Sequence, residues 1–209
     1  QRQMCIRDSY AIGVANGSMF KQNLDGMPGG PANVDALLAG FEAAMKGDST
    51  GLKMTPEQAQ TYLNTYFVEA QARDANKTKE EGEKFLAENK AKEGVITTES
   101  GLQYKVETEG TGAKPTADDQ VKVHYTGTLL DGTKFDSSVD RGEPAVFGVG
   151  QVIKGWTEIL QIMPVGSKYV IWVPSDLAYG EHGTRGIKPN SVLKFEVELL
   201  DIVKDDQKK

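Results

Sequence analysis

With 209 residues, 38% of them hydrophobic and 26% charged, the chain has the composition of ordinary soluble material and room for two modest domains. A net charge of -6, with lysines interleaved among Glu and Asp, argues against a nucleic-acid partner, which wants a basic stripe. The single cysteine, Cys5, excludes an intrachain disulfide and indicates neither an oxidising nor a reducing compartment, and no stretch reaches the roughly 20 apolar residues of a membrane span.

The opening "QRQMCIRDS" is polar and lacks the apolar core of a signal peptide. Beginning with Gln and patternless up to Tyr10, residues 1–9 suggest a truncated or foreign leader, and the cell envelope and the cytoplasm both stay open as compartments. From Asn33 to Gly47, Val34, Leu37, Leu38, Phe41 and Met45 recur at three-and-four spacing, which predicts an amphipathic helix capped by Asn33 and ended by Gly47. "TPEQ" at 55–58 reads as a second helix start: Thr55 as N-cap, Pro56 in the first turn, Gln58 as capping-box partner. Nothing stops that helix before Gly94, a length of roughly 55 Å at 1.5 Å per residue. Its first third is apolar on one side through Ala59, Tyr62, Leu63, Tyr66, Phe67 and Ala70, whereas "QARDANKTKEEGEK" at 71–84 is almost wholly polar and predicts a solvated stalk. A few helices offer a thin core alone, so burial predicts a homodimer through residues 10–70.

Beyond Gly94 the period changes from helical to alternating, in runs through Leu102, Tyr104 and Val106, through Val121, Val123 and Tyr125, and through Leu193, Phe195, Val197 and Leu199. Asp131-Gly132 between two such runs is a hairpin signal. Val152, Trp156, Ile159, Leu160 and Met163 return to helical spacing, and Pro164 closes that segment. The fold class is therefore α+β: a helical arm with a long stalk over residues 1–93, and a curved antiparallel sheet around one short helix over residues 94–209.

Reactive chemistry is scarce. His124, His182 and one cysteine make no zinc cluster, no metal or cofactor is implied, and "GEHGTRG" at 180–186 lacks the ending of a phosphate loop and reads as a mobile loop. What stands out is an excess of aromatic and aliphatic residues for a small core: Tyr125, Phe135, Phe147, Val152, Ile153, Trp156, Tyr179, Ile187 and Phe195.

In order and spacing, "VKVHYTGTLLDGTKFDSS", "RGEP", "VIKGWTEIL", "MPVGSK", "LAYGEHG" and "LKFEVELLDI" resemble the FKBP-type peptidyl-prolyl cis-trans isomerases across residues 95–203. The helical half, with "SYAIGVANG" at 9–17, resembles the dimerisation arm of the bacterial macrophage-infectivity-potentiator type. The resemblance implies an enzyme that turns X-Pro bonds in unfolded or partly folded polypeptides. Trp156 would lie under the proline ring, with Tyr125, Phe135, Phe147, Val152, Ile153, Ile187 and Phe195 around it. It further implies that the Ile153 N–H and the Tyr179 hydroxyl donate to substrate carbonyls, and that Asp136, partnered by Arg141 and the Tyr125 hydroxyl, orients the amide. Macrolide inhibitors are expected to bind. Ala145, Leu177 and Lys188 depart from the best-known members, and the lost aromatics at the first two positions should loosen the grip on such inhibitors. The alternative function is a holdase in which a V-shaped dimer binds unfolded clients and isomerisation is secondary.

Overall fold

The computed structural model describes residues 5–25, 27–48 and 50–203, so residues 1–4, the start of the expected leader, lie outside them. The chain divides into two compact units, residues 1–74 and 75–209.

The first unit is helical, with α1 (Ile6–Asp25), α2 (Val34–Lys46) and the opening turns of α3 (Pro56–Asn89). Asn33 caps α2 by accepting from the Ala36 N–H, and Gly47 ends it in the left-handed region at φ 66°. At the start of α3, the Gln58 side chain accepts from the Thr55 N–H at 2.9 Å while Thr55 Oγ1 accepts from the Gln58 N–H at 3.2 Å, closing the expected capping box. Helix α1 lies in the region expected to be helical, but spacing did not mark its bounds, because glycines at 13 and 17 weaken helical propensity and no apolar stripe precedes Tyr10. Among the described residues of this unit only Ala43 and Ala70 are buried.

The second unit is a seven-stranded antiparallel sheet, formed by β1 (Val95–Thr97), β2 (Gln103–Thr108), β3 (Gln120–Leu129), β4 (Lys134–Ser137), β5 (Ala145–Gly148), β6 (Lys168–Val173) and β7 (Leu193–Val203). The spatial order is β1-β2-β6-β7-β3-β4, and β5 pairs with the first half of β3 while β4 pairs with its second half. Register shifts in β2, in β3 against β7 and between β3 and β4 bend the strands, because an extra residue on one side of a ladder increases local twist. The short helix α5 (Lys154–Ile162) supplies Trp156, Ile159 and Leu160 to a core shared with Leu102, Val121, Val123, Ile171, Val197 and Leu199. A four-residue helix, α4 (Ser138–Arg141), follows β4 and is capped by Ser137. The hairpin at Asp131-Gly132 forms as predicted: Gly132 has φ 87° and its N–H donates to the Leu129 carbonyl.

Helix α3 differs from expectation in two respects. It ends at Asn89 rather than Gly94, where the Gln103 side chain donates to the Leu86 carbonyl at 2.8 Å and accepts from Asn89 Nδ2 at 2.9 Å, taking up helix-end groups from the side. Its polar half is not solvated all round: Ala75, Thr78, Gly82, Phe85, Leu86 and Asn89 are withdrawn from water at helical spacing within the second unit. The sequence hides the first part of this face because the small residues Ala75, Thr78 and Gly82 carry it. A Cβ on Gly82 would lie 2.8 Å from Val192 Cγ2, so the helix approaches the domain too closely for a side chain there.

Candidate active site

The site is a cavity of about 590 Å³ between α5, the sheet and the loop that follows Tyr179. Trp156 reaches it because α5 starts abruptly at Ile153, whose carbonyl accepts from the Trp156 and Thr157 N–H groups. The indole is 4% exposed and meets three rings edge to face, Tyr125 at 5.2 Å, Phe195 at 5.3 Å and Phe147 at 5.9 Å between centroids. Phe135 stands perpendicular to Phe195 at 5.5 Å. Gly127 makes that pair possible, since a Cβ there would lie 2.6 Å from Phe135 and 2.9 Å from Phe195. Val152, Ile153 and Ile187 complete the apolar lining.

The polar groups sit at the rim. Asp136 accepts a very short hydrogen bond from the Tyr125 hydroxyl and pairs with Arg141 Nη1 at 2.5 Å. Arg141 Nη2 also donates to Tyr125 Oη at 3.1 Å, and its guanidinium lies 5.6 Å from the Tyr125 ring centroid. Burial works against the Asp136 charge, but the bonds from Tyr125 and Arg141 outweigh it and hold the carboxyl below the usual range. Burial, then the bond to Asp136, pushes the Tyr125 hydroxyl up, so the phenol keeps its proton as the donor. The Ile153 N–H has no hydrogen-bond partner among the described residues, and Tyr179, 40% exposed, stands at the mouth.

Tyr125, Phe135, Asp136, Phe147, Val152, Ile153, Trp156, Tyr179, Ile187 and Phe195, all singled out from the sequence, line this one cavity. Arg141 does not line it and acts on it through Asp136 and Tyr125. Ala145 and Leu177 pack against the core outside the lining. Sequence reasoning missed Gln151, Thr184 and Arg185, which also face the cavity. Thr184 could have been found from its place in "GEHGTRG", three residues before Ile187, with which it exchanges backbone hydrogen bonds of 3.0 and 2.8 Å. Gln151 and Arg185 carry no such signal. No cluster of His, Cys, Asp and Glu able to hold a metal occurs among the described residues.

Such a site can bind a planar apolar group on an indole and hydrogen-bond the carbonyls beside it. The family model described as FKBP-type peptidyl-prolyl cis-trans isomerase matches residues 111–200, and the model for the domain amino terminal to it matches residues 7–106. The chain belongs to the FKBP-type peptidyl-prolyl cis-trans isomerases. It is an isomerase enzyme of the kind that carries a helical domain ahead of the catalytic one. It is 51% identical to the FKBP-type isomerase FkpA of Aeromonas hydrophila over 209 residues, covering 95% of this chain and 76% of that protein. It is 45% identical to the FKBP-type 22 kDa isomerase of Escherichia coli, covering 93% of this chain and 94% of that protein. The crystal structure of FkpA from Escherichia coli superposes with a TM-score of 0.75 at 34% identity, covering 94% of this chain and 95% of that one. The fold of this FKBP-type isomerase is therefore the expected one, helical region and sheet domain alike.

Proposed function

We propose that this FKBP-type isomerase seats the proline of an X-Pro segment on the Trp156 indole and lets the preceding amide twist among Tyr125, Phe135, Phe147, Val152, Ile153, Ile187 and Phe195. The observation that supports this most directly is the box of perpendicular rings around Trp156 at the base of the cavity. The barrier to X-Pro rotation, about 18–20 kcal/mol, comes from amide resonance. The planar amide is the more charge-separated form and is best solvated by water, whereas the twisted amide has lost that resonance. An apolar wall withholds solvation from the planar form and favours the twisted one, and each 1.36 kcal/mol of such preference is worth a factor of about ten in rate. No bond is made or broken, so a nucleophile would have nothing to attack. In this reading the Ile153 N–H and the Tyr179 hydroxyl donate to carbonyls flanking the proline. Asp136, held in its ionised form by Tyr125 and Arg141, orients the twisting amide without transferring a proton.

The substrates that fit are proline-containing unfolded or partly folded polypeptides. Macrolide inhibitors that present a ring to the Trp156 floor fit the same box, with a weaker grip where Ala145 and Leu177 offer no ring. We assign catalysis to residues 94–209 and dimerisation to the helical part within residues 1–93, through residues 10–70. Support for the dimer comes from the exposure of Tyr10 (74%), Phe41 (61%), Met45 (73%) and Tyr62 (62%), apolar surface that a second copy would cover. A protease-coupled assay on an X-Pro peptide tests the site. The parent should speed the slow phase, and Trp156→Ala and Asp136→Ala should lose most of that effect while circular dichroism reports a folded chain. Full activity in both variants would move catalysis elsewhere.

A further inference from the structure

The loop that closes the cavity is tied to helix α3. Tyr179 and Ile187 reach the cavity from this segment. Within it, the Asn190 N–H donates to the Gly180 carbonyl at 2.9 Å, closing the loop at its base. Asn190 is the only non-glycine residue with positive φ, 60°, among the described residues, and Asn tolerates that region better than most side chains. Its side chain leaves the loop altogether: Nδ2 donates to the Ala75 carbonyl of α3 at 3.2 Å, across 115 positions of sequence. Two residues further, Val192 sits against Gly82, where a Cβ would lie 2.8 Å from Val192 Cγ2. Ala75 and Gly82 are two turns apart on one face of the helix, so the loop's base rests on two successive points of a rigid rod.

We infer that Asn190 is a positioning residue for isomerisation and that the docked half of α3, residues 75–89, sets the height of Tyr179 and Ile187 above Trp156. The helix fixes the base of the loop, the Asn190–Gly180 bond passes that position to Tyr179, and the Thr184–Ile187 bridge carries Ile187 as one piece. In the pocket reading above, the proline rests on Trp156 and Tyr179 of this loop donates to a carbonyl flanking it, so the loop faces the residues beside the proline rather than the proline ring. Loss of the tie should therefore alter which residues are accepted before proline more than it alters recognition of proline. The inference rests on the pocket assignment above.

The test compares kcat/KM of the full chain for peptides carrying Ala, Leu or Phe before proline, with Asn190→Gly, Asn190→Asp and Trp156→Ala alongside. Asn190→Gly keeps the backbone angle and deletes the donor; Asn190→Asp keeps the shape and sets an acceptor against the Ala75 carbonyl. The quantity read is the ratio of kcat/KM between peptides, which does not depend on how much of a variant is folded. Both Asn190 variants are expected to shift the Phe-to-Ala ratio by about threefold or more, mainly through KM. Ratios within twofold of the parent, with Trp156→Ala inactive, would overturn the positioning role and leave the pocket standing. A Trp156→Ala variant with the parent's activity would overturn the pocket reading, and this inference with it. If Asn190→Asp does not fold, the ratio for Asn190→Gly decides alone.

Discussion

Asp136 stands beside an apolar box and keeps its charge because Tyr125 and Arg141 both donate to it. Since its folded pKa is depressed, the stability it contributes is present above the unfolded value and is lost as pH falls through the folded one. The pH profile of kcat/KM should accordingly stay flat through the neutral range and decline only below about pH 3.8, the ordinary value for aspartate. Arg141→Gln removes one of the two groups that hold the carboxyl down, so its acid limb should move to higher pH in the same titration. Gly127→Ala is a second case in which one atom decides: its Cβ would press on Phe135 and Phe195 and should cost about 1–3 kcal/mol in urea unfolding, with activity lost alongside. The aromatic identities were readable in the sequence because together they exceed what a small core needs, and the family motifs set their order. Gln151 and Arg185 were not readable, because a polar residue in a short turn of helix or a loop faces a cavity only by virtue of where that segment lies.

At the level of elements, α3 serves two units, and the change from one to the other falls within the helix at residues 74 and 75. A chain that begins at Ala75 retains Gly82, Phe85, Leu86 and Asn89 against the sheet domain, whereas one that begins at Gly94 leaves Gln103 without its two helix partners. The shorter chain should be less stable by about 1–3 kcal/mol, since each lost hydrogen bond is worth about 1 kcal/mol and the apolar contacts add to it. Urea melts of the two chains measure the difference, and equal midpoints with equal slopes would mean that the docked face contributes nothing. The caps of α2 and α3 and the Asp131-Gly132 hairpin were all visible beforehand, because each depends on residues within four positions of one another. The upper part of the docked face of α3 was invisible because Ala75, Thr78 and Gly82 carry it inside a run of charged residues, and only Phe85 and Leu86 near its end offer large apolar side chains.

For the whole molecule, the two units differ in how well they cover themselves. The sheet domain encloses Leu102, Ile159, Leu160, Met163, Ile171 and Leu199 completely, whereas the helices of the first unit leave Ile6, Tyr10, Phe41, Met45 and Tyr62 exposed. Sedimentation equilibrium at micromolar concentration should return twice the 22.7 kDa chain mass, and Phe41→Glu with Met45→Glu should shift it toward the monomer without changing kcat/KM on short peptides. A monomeric parent would defeat the dimer. The sequence by itself determined the division into a helical and an alternating half, the start of α3, the hairpin and the aromatic and aliphatic side chains that line the cavity, because periodicity, caps and motifs are local in the chain. Only the tertiary structure decided where α3 stops being an arm and becomes part of the catalytic domain, which loop residues face the cavity, and that Asn190 reaches Ala75. These are contacts between segments up to 115 positions apart, and their geometry comes from the packing of the sheet domain rather than from either segment alone.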